Sequence, residues 1–161
     1  MDSLKNNKLG IVNPNKIKEI EYYLFNIKYH IIDETYTFNE DDAFNTKYLE
    51  KIHLFLFSDI YDIEDCKIRK EISQDKINKK LKELKQQLYE DDVEQIKNII
   101  YTIWEYQIFL DGNTRTILCF LKIISKIYDF NITYDFTKDI DKDYFINEVI
   151  DSIEPKKEKN R

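Results

Sequence analysis

Apolar residues return every third or fourth position along most of this chain and rarely every second one, a spacing that predicts helices. Ile17, Ile20, Leu24, Ile27 and Ile31 mark a first helix, with Asn13 as its cap, Pro14 at its first turn and an end near Asp33. The polar, acidic residues 34–42 read as a loop. Tyr48, Leu49, Ile52, Phe55, Leu56 and Ile60 mark a second helix; Asn45 can cap it and Phe44 can staple against Leu49. Ser73 can cap a third, with Ile77, Leu81, Leu84 and Leu88 on one face and a solvated Lys, Gln, Asn and Glu face opposite. Asp91 and Glu94 fit a capping box for a fourth, whose stripe is Val93, Ile96, Ile99, Ile100 and Ile103. Residues 130–134 read as a short extended link, and Asp141 can cap a last helix carrying Phe145, Val149, Ile150 and Ile153.

One stretch departs from one-sided patterning. Ile117, Leu118, Cys119, Phe120, Leu121, Ile123, Ile124 and Ile127 cover most of a helix's circumference. A helix apolar nearly all round is buried, so a helix over 112–128 is expected at the centre, packed by those starting near Asn13, Asn45 and Asp91. It opens from the loop Phe109-Leu110-Asp111-Gly112-Asn113-Thr114-Arg115. Gly112 permits a tight turn or a close backbone approach. The first N–H groups of the helix have no partners within it and carry the positive end of its dipole. With Asn113 and Arg115 beside them they form a candidate phosphate cradle; a plain loop-to-helix junction is the alternative.

The chain of 161 residues suits one domain, taken as residues 1–154 with a basic, flexible tail over 155–161. Only 2 glycines and 2 prolines disfavour a sandwich or barrel, so the fold class is all-α. The net charge is 25 − 31 = −6, which argues against a nucleic-acid partner. No signal-peptide core and no run of membrane-spanning length is present, so no membrane partner and a cytoplasmic location are expected. Cys66 and Cys119 show no metal-site spacing, and Cys119 falls in the buried helix as a free thiol. His30 and His53 each stand alone on a helix, where packing and hydrogen bonding are commoner than ligation.

Residues 107–118, Gln-Ile-Phe-Leu-Asp-Gly-Asn-Thr-Arg-Thr-Ile-Leu, resemble the Fic motif H-x-F-x-(D/E)-G-N-G-R-x-x-R. Upstream, Ile52-His53-Leu54-Phe55-Leu56-Phe57-Ser58-Asp59-Ile60-Tyr61-Asp62 and then Ile68-Arg69 resemble a second Fic segment, I-H-x-x-L-F-x-D-I-Y-D-W-A-G-x-I-R. The resemblance to the Fic/Doc family spans roughly residues 44–136. It implies a helical bundle around a buried central helix, and transfer of AMP from ATP to a protein hydroxyl. Other donors are used in some members, and the Doc branch phosphorylates. By resemblance Asp111 would hold Mg²⁺, Gly112, Asn113 and Thr114 would face the α-phosphate, and Arg115 would pair with outer phosphates of ATP or another nucleotide.

Three positions depart from the motif. Gln107 stands where the family has its catalytic His, and a glutamine has no proton affinity near neutral pH. General-base help is commonly worth about 10²–10⁴ in rate. Thr114 replaces a glycine and Leu118 replaces the second arginine. The family's β-flap, which clamps the target, is at most vestigial here, because Arg69 to Ser73 runs almost directly into a helix. The family's inhibitory motif (S/T)-x-x-x-E-(G/N) is not matched: Ser3 is followed by Asn7 and Ser152 by Lys156. The resemblance therefore implies either a weak or altered protein adenylyltransferase or a catalytically inactive Fic-fold module that binds nucleotide or protein. A protein target or an antitoxin-like inhibitor would be the partner. A helical adaptor is the reading outside the family, and oligomeric state is left open.

Overall fold

The structure is a computed structural model that describes residues 7–35, 43–89, 92–134 and 145–156. Among them are six α-helices: α1 (Pro14–Thr35), α2 (Thr46–Phe57), α3 (Gln74–Gln86), α4 (Val93–Tyr106), α5 (Asn113–Ile124) and α6 (Phe145–Asp151). One 3₁₀ turn, Ile63–Cys66, follows α2. Two three-residue strands, β1 (Phe130–Ile132) and β2 (Ile153–Pro155), pair antiparallel with Asn131 opposite Glu154.

Helix α5 is the centre. Thr116, Ile117, Leu118, Cys119, Phe120, Leu121, Ile123 and Ile124 are all buried. Helices α1, α2 and α4 pack on it, the three expected from the sequence. Phe120 anchors one side, meeting Phe44 edge-on at 5.5 Å between ring centroids. Each such side chain contributes about 1.5–3 kcal/mol through burial. Caps fall where short polar side chains precede the apolar runs. Asn13 accepts from the N–H of Asn15, and Asn45 from that of Tyr48. Ser73 holds the cap position of α3 without a side-chain bond. Helix α4 is capped by Asp92, which accepts from the N–H of Gln95; Asp91 and Asp141 lie outside the described residues, as does most of the loop expected over 34–42.

The stripe Ile17-Ile20-Leu24-Ile27-Ile31 divides: Ile17 is buried, Ile20 and Leu24 pack half-buried against the core, and Ile27 and Ile31 are exposed. Glu21, Phe25, Lys28, Tyr29 and Ile32 complete the inner face of α1. Three expectations change. The first helix runs on to Thr35, past the expected end. Ile153 belongs to β2 and not to the last helix, because the chain turns at Ser152 to pair with β1. Pro155, expected to begin the tail, is the last residue of that strand, and Lys156 pairs with Asp129 at 3.4 Å. Between the 3₁₀ turn and α3 the described chain forms no strand, in keeping with a missing flap. No described helix is long and apolar enough to cross a membrane.

Candidate functional site

Helix α4 ends at Gln107, which takes left-handed backbone (φ 45°) and reverses the chain toward α5. A non-glycine residue there costs about 1–2 kcal/mol, and its side chain helps to hold the bend. The Gln107 Nε2 donates to the carbonyl of Trp104 at 2.8 Å, and its Oε1 accepts from Asn113 Nδ2 at 3.2 Å. Asn113 closes the loop from the other side: its Oδ1 accepts from the Phe109 N–H at 3.0 Å, and its Nδ2 donates to the Phe109 carbonyl at 2.9 Å. Ile108 and Phe109 are buried between these two clasps.

The loop is pressed onto α2. Phe109 stacks on the ring of His53, 4.0 Å between centroids and 8° from parallel. His53 lies with Nδ1 2.7 Å from the Cys66 carbonyl and Nε2 2.7 Å from the Asp111 carbonyl. A neutral ring can donate to only one of these. Burial nonetheless holds its pKa below the ordinary value, aided by the charge of Arg115 and opposed by the two carbonyls and the charge of Asp111. Gly112 (φ +77°) comes so close to α2 that a Cβ there would lie 2.5 Å from two ring atoms of Phe57. Its glycine identity is therefore required by the protein's own packing.

Arg115, on the first turn of α5, points at α1. Its Nη1 lies 3.2 Å from Glu21 Oε2, and the two side chains are only 14% and 9% exposed. Glu21 Oε1 also accepts a short hydrogen bond from the Tyr61 hydroxyl. Beside that carboxylate, and buried, the Tyr61 phenol is pushed far above its ordinary pKa. The guanidinium also sits over the Phe57 ring, 4.7 Å from its centroid. The sequence reading missed Glu21. Its signal was an acid with a core residue four positions away on either side, Ile17 and Phe25.

No family model matches this sequence, and no curated protein matches it. Among solved structures, the chain superposes on BepC, a VirB-translocated effector protein of Bartonella tribocorum crystallised with bound AMPPNP. The TM-score is 0.67 at 18% identity, over 94% of this chain and 93% of that one. The fold is of the Fic type.

Within this Fic-type fold residues 107–115 lie at the N-terminal end of α5, with different exposures. Asp111 is exposed, and Thr114 is half-buried. Gln107 is exposed yet engaged at both ends of its amide. Leu118 is fully buried, so the place of the motif's second arginine is apolar core. Among the described residues no cluster of three His, Cys, Asp or Glu could hold a metal, and Asp111 is the one motif carboxylate. His53 and Cys66 line a cleft open to solvent with Phe57, Tyr61, Asp65, Leu110 and Asp111. Burial raises the Cys66 thiol to about 11, so it is no nucleophile at neutral pH. Cys119 is likewise buried, free and pushed upward.

Proposed function

We propose that this protein is a catalytically inactive Fic-fold module that does not transfer AMP. The observation that carries this reading is the state of Gln107. It occupies the position where the motif needs a proton acceptor, has no basic atom, and spends both ends of its amide on Trp104 and Asn113. A target hydroxyl would find nothing there to take its proton as it attacked phosphorus. His53 offers no substitute, being 3% exposed, with both ring nitrogens facing carbonyls.

Two features speak against a bound nucleoside triphosphate with Mg²⁺: Arg115 is paired with Glu21, and Leu118 lies in the core. A second reading, nucleotide binding without transfer, is favoured by the AMPPNP in BepC. It draws too on the first N–H groups of α5, which have no acceptor inside the helix. It requires Glu21 to release Arg115, and Asp111 would then be the residue available to a metal.

The test is incubation with ATP labelled separately at the α and γ phosphates, alone and with a cell extract as source of targets. No label from either position is expected on any protein. Gln107→His should gain little, because the arginines remain committed or absent. Transfer by the unaltered protein would overturn the reading.

A further inference from the structure

Helix α1 carries two apolar faces, and the fold covers the second only in part. The inner face holds Ile17, Phe25, Tyr29 and Ile32 against the core. The outer face, roughly a third of a turn away, runs Ile20, Tyr23, Leu24, Ile27 and Ile31 at spacings of three and four; Ile20 and Leu24, at its edge, are half-buried against the core, and Tyr23, Ile27 and Ile31 are exposed. Tyr23 is 68% exposed, Ile27 45% and Ile31 40%. Single exposed apolar residues are ordinary, but a continuous helical stripe marks a contact surface.

The charges that end this stripe say what covers it. Lys16 lies on the same face at the N-terminal end and Glu34 at the C-terminal end, both exposed and neither in an ion pair among the described residues. This is the unfavourable order for an isolated helix, whose dipole prefers acids at its start and bases at its end. It becomes favourable when a copy of the same helix lies alongside in the opposite direction. The dipoles then oppose, Lys16 of each copy faces Glu34 of the other, and Tyr23 of each meets Ile27 of the other about a twofold axis near residue 25. Such an axis makes the contact self-complementary and closed.

We propose that the outer face of α1 is a homodimer interface, formed by antiparallel packing of α1 on α1 of a second copy. The contact lies on the side of α1 away from its inner-face pair, Glu21 with Arg115, and so leaves the motif loop untouched.

Sedimentation equilibrium of the full chain, from micromolar to millimolar concentration, tests the proposal. A monomer–dimer equilibrium is expected. Ile27→Asp, counted twice by symmetry, should raise the dimer Kd at least about tenfold while leaving the far-ultraviolet dichroism unchanged. Lys16→Glu alone should weaken the dimer, and adding Glu34→Lys should restore it, a rescue that lost packing alone would not give. Under mild oxidation, a Tyr23→Cys chain mixed with an Ile27→Cys chain should cross-link to each other more than to themselves. A monomer at every concentration would overturn the proposal and give the face to a different partner. A dimer indifferent to Ile27→Asp, or preferred Tyr23→Cys self-linkage, would overturn it equally.

Discussion

The two ends of α5 both reach α1, and they do so by different chemistry. Near the C-terminal end, Lys122 donates to the Tyr29 carbonyl and holds its ammonium 4.7 Å from the centre of the Tyr29 ring. A half-buried lysine of this kind keeps one side toward water. At the N-terminal end, Arg115 meets a carboxylate that is itself buried and shared with Tyr61. There each partner is required by the others, since a lone charge left in that place is costly. The C-terminal contact is an addition to packing already made. The N-terminal one makes the loop before α5 part of the fastening of the fold. Gly112, Asn113 and Arg115 are accounted for by contacts within the chain, with no ligand invoked.

Removing one member at the N-terminal end should therefore have the largest effect. Arg115→Ala leaves Glu21 buried without its cation and should cost about 3–5 kcal/mol in urea denaturation. Glu21→Gln keeps an acceptor for Tyr61 but leaves the Arg115 guanidinium without its counter-charge, and should also be destabilising. If Arg115→Ala costs no more than a surface change, the pair is not a fastening and the comparison fails. Gly112→Ala comes next. The left-handed backbone costs about 1–2 kcal/mol with a Cβ, and the contact with Phe57 about 1–3 more. Phe57→Leu should recover part of the second cost, which separates crowding from backbone strain. At the other end, Lys122→Met should cost less than Arg115→Ala, because the groups left behind by a half-buried side chain can reach water. A loss equal to that of Arg115→Ala would erase the difference between the two ends.

The smallest effect is a pH dependence. Burial lowers the pKa of His53 from 6.5, so between that value and its folded one the unfolded chain binds the extra proton. Stability from this source is present above about pH 6.5 and is lost as pH falls. Denaturation midpoints should drop on acidification, and His53→Gln should flatten that drop. An unchanged slope would mean that His53 is already protonated between its two carbonyls.

The sequence made the helices legible because most bury one face, and periodicity reports a buried face. It made α5 legible as the centre for the same reason, and the loop legible through its resemblance. In helix α1 the spacing marked the helix but not its inner face, because Ile27 and Ile31 of the apolar stripe are exposed while Glu21 and Lys28 lie inward. Periodicity registers apolar faces without saying which of two the core takes. The small sheet was half legible: residues 130–134 read as extended, but β2 lies two residues beyond α6, where the helical spacing of Val149, Ile150 and Ile153 hid it. The partners of Arg115 were beyond local reading, since Glu21 is 94 residues away along the chain. Only the packing of α1 on α5 brings the two together.

If the polar groups of residues 107–115 are spent inside the protein, no triphosphate site remains. Calorimetric titration of the full chain with ATP and Mg²⁺ decides this, with Asp111→Asn and Glu21→Gln run in parallel. Asp111 is exposed, so its change should leave the fold intact. The account predicts no saturable heat for the unaltered protein, and at most weak binding for Glu21→Gln, where Arg115 is partly released. Saturable binding by the unaltered protein that Asp111→Asn removes and Glu21→Gln leaves unchanged would contradict it.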